Sequence, residues 1–179
     1  MALKPTIYKF RLSLSDTNRD VYDTPQLTIA LHPSETTARM MARVLAYCVN
    51  YHPELTFTKG LSSIEEPDLW QKALDDTIIH WIDVGEPSLD RIKKSTRLAK
   101  RVDVFTFNSK SDVWWEQTKN KVHQYDAHIY RFNPSHIEAL SDIVERGMEL
   151  SVMITGTSLF IDCDKGSFEV HLDTLQSND

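Results

Sequence analysis

The chain has 179 residues, 41% of them apolar, and a net charge of −6, which suits one domain with its own core and excludes a protein that coats nucleic acid by bulk electrostatics. No apolar stretch approaches membrane-spanning length, and the start MALKPTIYKFRL lacks the apolar run of a signal peptide, so a soluble, cytoplasmic protein is expected. Cys48 and Cys163 lie far apart among apolar neighbours, the setting of buried reduced thiols rather than of a disulfide or a zinc knuckle.

Residues 7 to 15 alternate, with Tyr8, Phe10, Leu12 and Leu14 on one face and Lys9, Arg11 and Ser13 on the other, the pattern of a half-buried strand. Residues 26 to 31 repeat it, and the turn-rich DTNRDVYDTP between them makes a hairpin with a loose connection. Pro33-Ser34-Glu35 then announces a helix, with Ser34 as N-cap and Glu35 in the first turn, running to about His52. Met41, Leu45 and Val49 give it a wide apolar face, while Glu35, Arg39, Arg43 and Tyr47 follow at i+4 on another stripe that reads as a solvated flank.

A short extended piece at 55–59 and the loop GLSSIEEP lead to two strands, 69–74 and 77–84, joined by a tight turn at Asp75-Asp76. TIIHWIDV is β-branched and aromatic, the composition of a central strand covered on both sides. A helix over 88–100 and a buried strand over 102–107 then form a right-handed βαβ unit. A helix follows at 113–121 and a strand at 128–132. Next comes a helix with Asn133 as N-cap, Pro134 at its first position and Gly147 as its stop, and strands at 150–154, 159–163 and 168–172 complete the chain. The expected fold is a single α/β domain over 1–179, a mixed β-sheet with flanking helices.

Asp68 opens one central strand and Asp83 lies near the end of the next. If the two strands form a hairpin, both carboxylates fall at the same end of the sheet. A lone carboxylate in an apolar strand is costly unless it is paired, hydrogen-bonded or metal-bound. Asp68, Asp83 and Glu86, with the Val84 carbonyl, are the hard oxygen ligands that Mg²⁺ or Mn²⁺ favours. The following helix carries the opposite sign: Arg91, Lys93, Lys94, Arg97, Lys100 and Arg101 stand with no acid among them. Carboxylates beside a lysine are the parts of metal-dependent phosphodiester hydrolysis. The same residues also admit a structural reading, with Asp68 as a turn cap and Asp83 in an ion pair with Lys94 or Arg39. Trp70, Trp81, Trp114 and Trp115 read as core rather than as base-stacking residues. The histidines form no H-E-x-x-H, and there is no P-loop, G-x-S-x-G or G-x-G-x-x-G.

The order helix, three strands, helix, strand, with Pro67-Asp68 and Asp83-Val84-Gly85 at its strand ends, resembles the core of the PD-(D/E)XK (restriction-endonuclease-like) nucleases, here over about 34–107. Through HPSETTARMMARVLAY (32–47), GLSSIEEPDLW (60–70), WIDVGEP (81–87) and DVWWEQ (112–117), nearly the whole chain resembles the bacterial YaeQ family. The resemblance implies a Mg- or Mn-dependent nuclease or phosphodiesterase. Asp68, Asp83, Val84 and Glu86 would be its metal ligands and Glu35 an accessory acid. Arg39, Arg43, Lys93, Arg97 and Lys100 would contact nucleic acid. Gly85 stands where the nuclease pattern has its lysine, so that role would pass to Lys94, migrated to the helix. The alternative is a catalytically inactive module on the same scaffold that binds nucleic acid or a protein partner.

Overall fold

The computed structural model describes residues 4–59 and 65–179. Its elements in chain order are β1 (Thr6–Asp16), β2 (Val21–Asp23), β3 (Gln26–Leu31), α1 (Thr37–Val49), β4 (Leu55–Phe57), β5 (Leu69–Lys72), β6 (Ile78–Val84), α2 (Leu89–Leu98), β7 (Ala99–Thr106), α3 (Ser111–Val122), β8 (Ala127–Phe132), α4 (Pro134–Ser141), β9 (Gly147–Thr155), β10 (Ser158–Cys163) and β11 (Gly166–Gln176). The strands make one curled mixed sheet in the order β2-β1-β9-β10-β11-β8-β7-β6-β5-β4, with β3 paired to β1.

The sheet has two kinds of strand. In β1 and β9 every second residue is buried: Phe10, Leu12 and Leu14 in one, Met148, Leu150, Val152 and Ile154 in the other. This period of two is what a strand with one wet face requires. In β6 and β7 burial is nearly continuous toward the carboxyl end, because those strands are covered twice. Ile82, Val84 and Phe105 face a large core shared with α1, α4, β1, β9 and β10. Trp81, Val102 and Val104 face a smaller core with Ile92 of α2 and Val122 of α3. Strand β11 joins the two regions, pairing with β10 through its first half and with β8 through its second. The alternation in β1 and the doubly covered composition of β6 place both correctly from sequence. The parallel pairing of β6 and β7 across α2 is also as expected.

Helix α1 departs from its expected form. Thr36, not Ser34, is its N-cap, with the Thr36 hydroxyl accepting from the Arg39 amide, while the Ser34 hydroxyl pairs with the His32 ring. The helix ends at Val49, and Asn50 closes it by donating to the Ala46 and Cys48 carbonyls. It lies inside the curl of the sheet, with Met40 to Cys48 all buried. Arg43 and Tyr47 are therefore buried, as is Glu35, which lies before the N-cap and not in the first turn, and the stripe read as a solvated flank is an internal one. Burial pushes the Cys48 thiol up to about 12, the state of an inert core cysteine. Other boundaries differ as well. Strand β7 starts at Ala99, so Lys100 belongs to a strand rather than to the preceding helix, and Gly147 opens β9 instead of stopping α4, which ends at Ser141.

Candidate functional site

Strands β5 and β6 are antiparallel with Leu69 opposite Ile82, and the Asp68 amide donates to the Ile82 carbonyl at 3.0 Å. Asp68 and Asp83 therefore sit at one end of the sheet, as the hairpin requires. The turn at the other end is closed by the Ala73 amide on the Thr77 carbonyl, with Asp76 at φ 66°, a backbone aspartate tolerates. Asp68 and Asp83 are 5% and 3% exposed, so each needs a compensating charge.

Each finds an arginine, and the two carboxylates turn to different helices. One Asp68 oxygen accepts the Val84 amide at 2.8 Å and the other accepts Arg39 Nη2 at 2.6 Å. The same Nη2 donates to the Val84 carbonyl at 3.2 Å. Arg39 Nη1 donates to Glu35 at 2.8 Å, and Glu35 takes a two-pronged contact from Arg43, Nε and Nη2 both at 2.8 Å. Glu35, Arg39, Arg43 and Asp68 thus form one buried chain of alternating charge from α1 to the start of β5. Burial works against the Arg39 charge, yet Asp68 and Glu35 outweigh it and hold its pKa above the ordinary value.

Asp83 faces the other side of β6. Its oxygens accept Arg91 Nε and Nη2, both at 3.0 Å, and Trp81 Nε1 at 3.1 Å, and Arg91 also donates to the Glu66 carbonyl at 2.8 Å. Burial raises the Asp83 pKa despite Arg91 and Trp81, with the Asp68 charge adding to the rise. Arg91 is the partner that the sequence reading did not assign. It lies in the first turn of the crossover helix capped by Ser88, directly beyond the strand end that carries Asp83, and that position is the signal by which it could have been found.

The remaining residues stand as follows. Lys94 does not face the carboxylates: its side chain is 65% exposed and its Nζ lies 3.5 Å from Glu65. Lys93 is half-buried, and Arg97 and Lys100 are exposed. Glu86 has one buried carboxylate oxygen without a hydrogen-bond partner among the described residues. Gly85 adopts φ 123°, with its amide on the Phe105 carbonyl. That backbone favours glycine, so a lysine at this position would be strained. Among the described residues no three His, Cys, Asp or Glu side chains are grouped to hold a metal ion. The best oxygen pair for a divalent cation, Asp68 and the Val84 carbonyl, converges on a guanidinium nitrogen instead. As arranged, the site does not fit Mg²⁺ or Mn²⁺. Trp81 is buried in the smaller core and Trp114 and Trp115 pack against it, while Trp70 lies under Lys72 Nζ at 3.9 Å.

Fold and site together define a mixed α/β protein with a curled sheet, four described helices and a buried arginine–carboxylate cluster at one strand end. A model of the YaeQ protein family matches residues 1–172, and the chain belongs to that family. It is 35% identical over 178 residues, 98% of each chain, to the uncharacterized protein YaeQ of Escherichia coli (strain K12). It is also similar to two crystal structures. The YaeQ protein from Pseudomonas syringae is 37% identical, with a TM-score of 0.93 over 97% of both chains. The YaeQ protein from Xanthomonas axonopodis pv. citri is 30% identical, with a TM-score of 0.94 over 97% of this chain and 99% of that one. No described helix is long and apolar enough to cross a membrane.

Proposed function

We propose that the chain is a non-catalytic, nuclease-like module that binds nucleic acid through the basic side of α2 and the start of β7. The observation that carries this reading is the position of Arg39 Nη2, shared between Asp68 at 2.6 Å and the Val84 carbonyl at 3.2 Å. A guanidinium held there by Glu35 supplies permanently the positive charge that a nuclease of the PD-(D/E)XK type draws from a metal ion. The order α1, β4, β5, β6, α2, β7, with β4 to β7 adjacent in the sheet, supports the resemblance to that core. Gly85 in the lysine position and Lys94 turned to solvent support the absence of catalysis. The exposed Lys94, Arg97 and Lys100 supply a local positive face on a chain whose total charge is −6, and phosphate contacts of this kind give salt-dependent binding.

The test is fluorescence anisotropy with labelled single-stranded DNA, duplex DNA and RNA. The parent should bind at least one of them, and reversal of Lys94, Arg97 and Lys100 to Glu should weaken binding at least tenfold and flatten its salt dependence. Unchanged affinity in the triple variant removes the proposal.

A second reading is a Mg- or Mn-dependent nuclease or phosphodiesterase using Asp68, Asp83 and Lys94, which requires Arg39 to leave the Asp68–Val84 pair and Lys94 to turn inward from Glu65. It is favoured by the unpartnered Glu86 oxygen three residues beyond Asp83. On that reading a nucleic acid is cleaved with Mn²⁺ but not with EDTA, and Asp83→Ala abolishes the cleavage. A parent that cleaves nothing with either ion rejects it.

A further inference from the structure

A second cluster of ionisable groups lies away from the carboxylate site, on β6, β7, β8 and the residues after β11. At its centre Asp103 is 0% exposed. One of its oxygens is 2.9 Å from His80 Nε2 and the other accepts Arg101 Nε at 3.1 Å. The parallel registers explain the meeting, with His80 opposite Arg101 and Asp103 opposite His128. Asp103 thus fixes Arg101 from behind through Nε and leaves both terminal nitrogens directed outward.

The outward edge of Arg101 is where the exposed terminal segment sits. Nη1 lies 3.2 and 3.5 Å from the two oxygens of Asp179, and Nη2 lies 3.4 Å from one of them and 3.3 Å from the Tyr130 hydroxyl. His128, 5% exposed, has its Nδ1 4.0 Å from the same carboxylate. The Asp179 side chain is 66% exposed. A guanidinium edge and a tyrosine hydroxyl therefore meet an exposed carboxylate, with the His128 ring behind it. The contacts are longer than the ~2.7–2.9 Å of a strong charge-assisted hydrogen bond. Arg101 and His128 hold the Asp179 carboxyl below the usual carboxylate range. The neighbouring residues have anchors of their own: the Asn178 amide donates to His128 Nδ1 at 3.4 Å, the Ser177 hydroxyl lies 3.4 Å from the same nitrogen, and the Asn178 side chain donates to Asp126 at 3.0 Å. Asp179 can leave by rotating its own side chain, with the segment before it in place.

We propose that Arg101 and Tyr130 form a receptor for an oxyanion group presenting two oxygens in one plane, a phosphate or a carboxylate, and that Asp179 is its internal stand-in. A guanidinium fork held by a buried carboxylate is the arrangement that recognises such a group bidentately. An intramolecular carboxylate lowers the receptor's apparent affinity by the fraction of time it occupies the site. The receptor uses none of Lys93, Lys94, Arg97 and Lys100, and Lys100 and Arg101, as adjacent residues of β7, project to opposite faces of the strand.

The test uses the full chain, with inorganic phosphate and acetate as probes, titrated while following the Arg101 Nε–H and Tyr130 resonances by NMR. Asp179→Ala, an exposed change that leaves the fold intact, should bind at least one probe tenfold or more tighter than the parent. Adding Arg101→Lys, which keeps a positive charge beside Asp103, should remove that gain, and Tyr130→Phe in the Asp179→Ala background should reduce it. Tightening toward phosphate alone, acetate alone or both identifies the oxyanion class received. Equal affinities in the parent and Asp179→Ala, or a gain that survives Arg101→Lys, reduce the contact to a surface ion pair and overturn the proposal.

Discussion

Glu35 and Asp103 are both buried carboxylates beside arginine, yet their surroundings make opposite uses of the same chemistry. Around Glu35 every partner is interior: the Arg43 and Arg39 side chains are 4% and 16% exposed, and the chain of charges ends on Asp68 at 7%. Around Asp103 the inner half is equally closed, but the outer half ends on Asp179 at the surface. A buried arginine whose donors all meet interior acceptors is a structural strut. One whose terminal nitrogens meet an exposed carboxylate is an address that another anion can occupy. The first cluster ties α1 to the start of β5 and the second lies on β6, β7 and β8, and the path to solvent separates their roles.

The largest effect should come from opening the closed cluster. Glu35→Ala leaves Arg43, and part of Arg39, buried without a counter-charge, and should cost about 3–5 kcal/mol in urea unfolding. A loss below about 1 kcal/mol would mean that these arginines reach water and that the cluster is not sealed. Asp103→Ala should cost less, about 1–3 kcal/mol, because Arg101 can turn toward solvent and Asp179.

A smaller, pH-dependent effect is expected at Asp83. Burial raises its folded pKa above that of the unfolded chain. The folded state therefore binds the proton more tightly, and the stabilisation this gives is complete below the unfolded value and lost as pH rises through the folded value. Asp83→Asn lacks this dependence. The parent's stability relative to the variant should improve as pH is lowered from 7 toward 4, and urea melts across that range would show it. A parent that instead loses ground to the variant on acidification would mean that Arg91 outweighs burial. The smallest effect belongs to the exposed end of the open cluster: Asp179→Ala should leave the urea midpoint unchanged. A drop comparable to that of Asp103→Ala would turn the second cluster into a strut like the first.

Much of this was readable in the amino-acid order. The alternation of β1, the doubly covered run of β6 and the crossover to β7 are periodicity and composition, and they are local. The convergence of Asp68 and Asp83 on one strand end followed from the tight turn between them. What failed were inferences about which face of a helix meets solvent. Glu35, Arg39 and Arg43 at i+4 look the same whether the helix lies on the surface or inside a curled sheet, and only the tertiary position of α1 decides. The partner of Asp83 was obscured for a related reason. Six bases lie between 91 and 101, and which one reaches the carboxylate depends on where α2 begins relative to the end of β6. The helix stop assigned to Gly147 failed because α4 is short, ending at Ser141, and the glycine opens a strand. The 60–64 part of the GLSSIEEP loop lies outside the described residues.

The pairing of β1 with β9 has a consequence for biosynthesis. Thr17 and Ile154, bonded at the end of this ladder, are 137 residues apart in sequence, so β1 leaves the ribosome long before the strand that covers its second edge. At ~5–20 residues per second, the nascent β1–β3 hairpin stands with an open apolar edge for roughly 7–27 s. Translation speed and chaperone supply, rather than the stability of the finished fold, should therefore govern how much of this protein reaches its native state.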